Sequence, residues 1–322
     1  MKKALKVILI ILIVVIAIAG ILALFINFRG MPVYKAGKIS IQVTATPEKI
    51  ANGKKLASML CVNCHYNSQT QKFTGRLLSD IPQFGEIHSA NITQDPIAGI
   101  GKWSDGELIY FIRTGVKPDG KYIPPYMPKL IHIADDDLYS IIAYLRSDDN
   151  YVKADNTRSQ ESKPSFLAKF LVTIKVFKPF DYPEKSIPLP DTANQVNWGR
   201  YITLYQYECY ACHSKDFATN NYEFPEKSPG FFQGGNMMFQ MDGSPIHTLN
   251  ITPDKETGIG NWTEDDFIKA VKTGIMPNGQ PALRYPMRPY INLTDAELKA
   301  VYAYLGTVPP IKNKVDRKSG NP

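Results

Sequence analysis

The chain has 322 residues with 44% hydrophobic and 21% charged side chains, a globular balance with room for two ordinary domains. A formal charge of +7 and a pI near 9.0 would suit a nucleic-acid binder, yet the lysines and arginines are scattered. No arginine stripe alternates with stacking aromatics, so that class is excluded, and the basic balance points to an acidic protein partner or an anionic membrane surface. At the amino terminus, Lys2, Lys3 and Lys6 precede an uncharged apolar run over residues 7–28 that Arg29 closes. As a helix this run would measure roughly 33 Å, enough to cross a bilayer core. A small-x-small site at Ala17-Ile18-Ala19 lies inside it, and Gly20 to Phe25 continue it without a polar break. Residues 1–30 therefore read as an uncleaved membrane anchor rather than a signal peptide. With its lysines in the cytoplasm, the chain is expected to be a single-pass protein of the cytoplasmic membrane whose folded part lies on the periplasmic side. No cysteine sits near the end of the run, which excludes a lipid anchor there.

After a juxtamembrane segment, 31–46, comes a helical run from Ile50 to Leu60 and then Cys61-Val62-Asn63-Cys64-His65. The other two cysteines fall in the same frame, Cys209-Tyr210-Ala211-Cys212-His213, behind a run from Trp198 to Glu208. C-x-x-C-H is the attachment signature for c-type haem. Two thiols one helical turn apart add to the two vinyl groups of one porphyrin, and the next histidine reaches the iron. A thioredoxin-like motif would need a βαβ context and only one copy, and a shared zinc site would leave both histidines unexplained. Two haem c groups use all four cysteines, leaving none for disulfides.

The copies extend beyond the cysteines. Asn91-Ile92-Thr93 through Gly99-Ile100-Gly101-Lys102-Trp103 recurs as Asn250-Ile251-Thr252 through Gly258-Ile259-Gly260-Asn261-Trp262. Each is followed by a predicted helix, N-capped by Ser104 or Thr263 with Glu107 or Asp266 three residues on, and stopped by Gly115 or Gly274. A last amphipathic helix follows in each half. Leu138, Ile141, Ile142 and Leu145 mark the first; Leu298, Val301, Tyr302 and Leu305, capped by Thr294 and Glu297, mark the second. Both end in Ala-Tyr-Leu. No strand pattern is evident, and the extracytoplasmic part is expected to be all-α.

His65 and His213 are the proximal ligands, and the sixth ligand separates a carrier from a catalyst. The repeat selects Met127, in Pro125-Tyr126-Met127-Pro128, and Met287, in Tyr285-Pro286-Met287-Arg288-Pro289. Met276 aligns with Lys117, Met237, Met238 and Met241 fall in an unpaired insertion, and Met59 sits within a helix, so these five read as gap fillers. His88 and His247 each lie three residues before Asn-Ile-Thr and compete as ligands or as hydrogen-bond donors; His132 reads as an ordinary loop residue. Trp103, Trp262, Arg113 and Lys272 are candidate contacts to haem propionates, with core packing for the tryptophans and solvent for the cations as the alternative.

Each half resembles a class I cytochrome c domain. Asn-Ile-Thr, Gly-Ile-Gly-x-Trp, the Met-Pro loop and the Ala-Tyr-Leu helix resemble the cytochrome c subunits of membrane-bound alcohol and gluconate dehydrogenases, over residues 47–146 and 196–308. The resemblance implies electron acceptance from a periplasmic dehydrogenase and delivery to quinone or a terminal oxidase. Two departures stand out: those subunits usually carry three haems, and their Arg-x-Gly, kept at Arg113-Thr114-Gly115, becomes Lys272-Thr273-Gly274 here. The expected organisation is an anchor, domain one over 47–147, a linker over 148–195, domain two over 196–311 and a disordered tail over 312–322. Within the linker, 148–163 reads as a flexible or surface loop. Phe166 to Phe180 reads as an amphipathic segment, either on the membrane or strapped across the domains. The expected function is electron transfer through two His/Met haems, His65 with Met127 and His213 with Met287. The competing reading is a dihaem peroxidase in which one iron opens for substrate.

Overall fold

The computed structural model describes residues 2–240 and 242–316. Met241 and the end of the expected tail, 317–322, lie outside the described residues. Helix α1, Lys2–Arg29, is long and apolar enough to cross a membrane, and its most apolar window has no burial against the rest of the chain. The juxtamembrane segment then runs along the first half without regular structure. The Tyr34 N–H donates to the Gly120 carbonyl at 2.8 Å, Val33 bridges Lys121, and the Val43 N–H donates to Asp105 Oδ2 at 2.9 Å.

In the first half, α2 is Pro47–Leu60, α3 is Val62–His65, α4 is Asp105–Thr114 and α5 is Asp135–Leu145. Helix α6, Phe166–Thr173, belongs to the linker. The second half carries α7, Gln195–Tyr201, α8, Cys209–His213, α9, Glu264–Thr273, and α10, Asp295–Leu305. Complete capping boxes form at Ser104/Glu107, Thr263/Asp266 and Thr294/Glu297, and Gly115 and Gly274 end their helices at φ of 81° and 77°. These ends are set by local sequence alone.

The opening and closing helices of each half cross at a glycine. A Cβ on Gly53 would lie 1.8 Å from the Ser140 carbonyl oxygen, and one on Gly199 would lie 1.8 Å from that of Ala300. Glycine is thus required at both positions for the backbones to meet. From that crossing to the first cysteine the steps differ: eight residues from Gly53 to Cys61, ten from Gly199 to Cys209. A π-helical turn, Ile202–Gln206, takes up the excess, and Glu208 then adopts φ of 49°. The helix expected to continue to Glu208 therefore breaks before the haem motif.

The fold is not purely helical. Strands β1, Gly85–Glu86, and β2, Lys163–Pro164, pair antiparallel, and so do β3, Met237–Phe239, and β4, Pro245–His247. Residues 148–163 form an ordered strip on the first half rather than a flexible loop. Phe73 and Gln94 donate their N–H groups to the carbonyls of Tyr151 and Val152, and Asn91 Nδ2 donates to those of Asp155 and Thr157. At the other end, Asn313 donates through its N–H to Thr257 Oγ1 at 2.9 Å and through Nδ2 to the Gln233 carbonyl at 3.0 Å, so the expected tail begins pinned.

One apolar core runs through both halves, from Leu56 and Ile109 to Leu298 and Leu305. Across their junction the contacts are reciprocal. Asp137 on α5, 4% exposed, accepts from Tyr201 Oη at 2.6 Å and Gln206 Nε2 at 2.8 Å. Its repeat equivalent on α10, Glu297, accepts from Lys55 Nζ at 2.6 Å. His132 also belongs to this junction, not to an ordinary loop. Its ring centroid lies 5.0 Å from that of Tyr205, and its Nε2 is 3.1 Å from the Glu223 carbonyl.

Candidate haem sites

The four thiols form no disulfide; Cys64 lies on α3 with Cys61 as its N-cap, Cys209 and Cys212 lie on α8, and each short helix ends in its histidine. Nδ1 of His65 lies 2.7 Å from the Ala90 carbonyl, and Nδ1 of His213 lies 2.7 Å from the Leu249 carbonyl. A carbonyl can only accept, so Nδ1 carries the proton and Nε2 keeps its lone pair for a metal. Burial also holds both imidazoles below the ordinary histidine pKa, favouring the neutral, ligating form.

These two carbonyls explain the Asn-Ile-Thr motif, because each belongs to the residue just before it. Asn91 Oδ1 accepts from the Thr93 N–H at 2.8 Å, and Asn250 Oδ1 accepts from the Thr252 N–H at 3.0 Å. Asn250 Nδ2 donates to the Ile311 carbonyl, as Asn91 Nδ2 does to the 148–163 strip. The Gly-Ile-Gly turn then folds back: the N–H groups of Ile100 and Ile259 donate to the Thr93 and Thr252 carbonyls at 2.9 Å. A Cβ on Gly99 or Gly258 would stand 2.2 Å from the same oxygens. Sequence reasoning saw the motif without its purpose, since a backbone carbonyl leaves no residue signature.

In the second half, Cys209, Cys212, His213, Trp262 and Met287 line one cavity, whose walls are otherwise mainly apolar. Met238, Met276 and His247 share its lining. Met276, set aside as a filler, is only 6% exposed. Tyr207 lines it too, and its buried hydroxyl has no partner among the described protein atoms. A haem c group suits this chemistry: two thiols, a neutral imidazole with free Nε2, a thioether, apolar walls and a hydroxyl able to donate to a propionate. In the first half, His65 is 8% exposed and Met127 half-buried, on equivalent elements of the repeat. His88 lies beside Glu86, with Nε2 3.2 Å from Oε1.

The cations proposed for propionates are engaged elsewhere. Buried Arg113 donates to the carbonyls of Leu130, Ile131 and Ile133 and to Asp135 Oδ1 at 2.6 Å, bracing the segment that follows Met127. Buried Lys129 donates to the Pro124 carbonyl at 3.0 Å and also to that of Met127. Lys272 pairs with Asp295 at 2.6 Å, the repeat equivalent of Arg113 with Asp135, but near the surface and without the carbonyl bonds. Trp103 packs edge-to-face on Phe111 at 5.5 Å. The Met287 loop instead reaches across to the first half, where Tyr285 Oη donates to Asp80 Oδ2 at 2.6 Å.

Residues 50–148 match the cytochrome c family, and this part of the chain is a cytochrome c domain. The chain is related to the cytochrome c subunits of alcohol, fructose and gluconate dehydrogenases. It is 28% identical over 262 residues to the cytochrome c subunit of the quinone alcohol dehydrogenase of Gluconacetobacter polyoxogenes, covering 78% of this chain and 54% of that one. With the gluconate 2-dehydrogenase cytochrome c subunit of Pantoea cypripedii it shares 42% identity over 119 residues, 35% of this chain and 24% of that one. With a diheme cytochrome c-type protein of Cereibacter sphaeroides it shares 24% over 261 residues, covering 78% and 83%. The chain spans about half the length of the alcohol and fructose dehydrogenase subunits it matches.

Proposed function

We propose that this chain is a membrane-anchored, extracytoplasmic electron carrier holding two haem c groups. Cys61 and Cys64 bind one group and Cys209 and Cys212 the other, with axial pairs His65/Met127 and His213/Met287. The observation that carries the reading is the repeated imidazole geometry, in which each histidine of a C-x-x-C-H gives its Nδ1 proton to a carbonyl 2.7 Å away. When bound, each haem supplies a reversible one-electron couple. The residues around it fix the ligands, exclude water and set the potential. The reciprocal contacts at the junction support passage between the two groups within one rigid body. The donor is a dehydrogenase or a quinol-linked protein, and the acceptor is a downstream carrier or oxidase. The anchor reading rests on the length and apolarity of α1 and on the lysines in its first turns.

The ferric near-infrared spectrum tests the ligands, because a Met–iron bond gives a charge-transfer band countable per haem. Two bands are expected in the holoprotein. Met127→Ala and Met287→Ala should each remove one, and Met276→Ala neither. Loss of a band in Met276→Ala, with Met287→Ala unchanged, would transfer the second ligand to Met276. Two bis-histidine spectra would overturn the methionine ligands and bring His88 and His247 forward in their place.

A further inference from the structure

Helix α6 is apolar on two opposite faces. Ala168 and Val172, four residues apart, are buried at 0% and 1% exposure, and Val172 packs with Val116 and Tyr122 of the first half. On the other side, Phe166, Phe170 and Ile174 form a stripe at the same spacing, flanked by Leu167. Phe166, Leu167 and Ile174 are 47%, 43% and 50% exposed, and just beyond the helix Val176 is 60% exposed. Phe166 and Phe170 stack on each other at 6.0 Å. A folded domain does not present a row of Phe, Leu and Ile to water without a use for it.

The surroundings say what covers it. The helix abuts the end of the anchor: Lys169 Nζ donates to the Asn27 carbonyl at 2.9 Å and to its Oδ1 at 3.1 Å. Ile26 is buried there at 7% exposure, whereas Phe25 and Phe28 beside it are 55% and 80% exposed. Lys169, Lys175 and Lys178 border the stripe, and the last two are exposed. Apolar groups that continue the surface of a spanning helix, rimmed by lysines, fit the boundary between acyl chains and anionic headgroups.

We infer that the outward face of α6 lies in the bilayer interface as a second membrane contact, with Phe166, Leu167, Phe170 and Ile174 among the upper acyl chains and the lysines at anionic headgroups. The inference rests on the anchor reading above. The helix is held firmly enough to transmit this orientation. Ser165 caps it and donates to the Gln83 carbonyl at 2.8 Å, and Phe177 packs on Phe84 at 5.9 Å. Phe84 in turn packs on Tyr126, the neighbour of Met127, at 6.1 Å. A chain of ring contacts thereby links the Met127 loop to the segment that follows α6.

The test uses the full-length holoprotein in vesicles of phosphatidylcholine and phosphatidylglycerol. The native thiols are occupied by haem, so a fluorophore can be placed on single cysteines in Leu167→Cys, Ile174→Cys, Leu12→Cys within the anchor, and Phe217→Cys on the second half. Lipids carry a nitroxide quencher either near the headgroup or deep in the chains. The expected result is loss of emission from the 167 and 174 labels with the shallow quencher, loss from the 12 label with the deep one, and no loss from the 217 label. If the 167 and 174 labels match the 217 label while the 12 label is quenched, the inference is overturned and the anchor stands. If the 12 label is also unquenched, the anchor reading falls with it. Labels at 167 and 174 that are shielded from water yet untouched by lipid quenchers would assign the face to a protein, which also overturns the inference.

Discussion

Ala90 and Leu249 each offer a carbonyl to a proximal histidine, and the asparagine next in sequence holds that carbonyl in place. Asn91→Ala would remove the bonds to the Asp155 and Thr157 carbonyls and to the Thr93 N–H. Leaving such buried groups unpaired costs about 1–3 kcal/mol each. The expected outcome is a lower urea midpoint and altered electron-paramagnetic g-values for one haem only; Asn250→Ala should alter the other. Changes in both haems from either variant would contradict this local brace. The cysteines and histidines stand out in the sequence because thioether and imidazole chemistry would fix residue type and spacing together. The Asn-Ile-Thr motif was visible only as a repetition, and the sequence left Arg113 open between a propionate and solvent. Its carbonyl acceptors leave no residue signature.

At the scale of elements, the two glycine crossings decide how closely each half closes. Gly53→Ala forces a methyl into the Ser140 carbonyl, and Gly199→Ala does the same at Ala300. Backbone atoms cannot rotate away as side chains can, so each substitution is expected to cost about 1–3 kcal/mol or more. Urea unfolding of the holoproteins followed by circular dichroism measures it, and unchanged midpoints would mean the helices separate freely. Helix ends were readable because capping boxes and stop glycines are local signals. The π-turn was not, because Ile202–Gln206 follows a helical pattern. Only the count to the next cysteine, set against the first half, betrays it. The outward stripe of α6 was readable as amphipathic, but its two opposite apolar faces become distinct only once Ala168 and Val172 are seen buried.

For the whole molecule, a single core and a reciprocal junction make the halves one cooperative unit. Unfolding followed by helix content and by each haem's absorbance should give coincident transitions; two separated ones would refute this. Lys55→Met tests the junction directly, because it strands the Glu297 carboxylate, which is 7% exposed, without its cation. The expected cost is about 2 kcal/mol, and adding Glu297→Gln should return part of it. A repeat predicts two similar halves, yet says nothing of how they face each other. That follows from Tyr201, Gln206 and Lys55, which are unremarkable until placed opposite Asp137 and Glu297.

The seam between anchor and body carries one more consequence. Val33, Tyr34 and Val43 are bonded along the first half, so no slack cord separates α1 from the candidate haem sites. A cytochrome on a long cord samples a hemisphere and can shuttle between partners at different heights. If α1 sits in the bilayer as proposed, this chain would only slide and spin in the plane. Its encounter rates then scale with lateral crowding rather than with the volume of the compartment. On that reading, a redox partner would have to present its centre at one fixed altitude above the lipid.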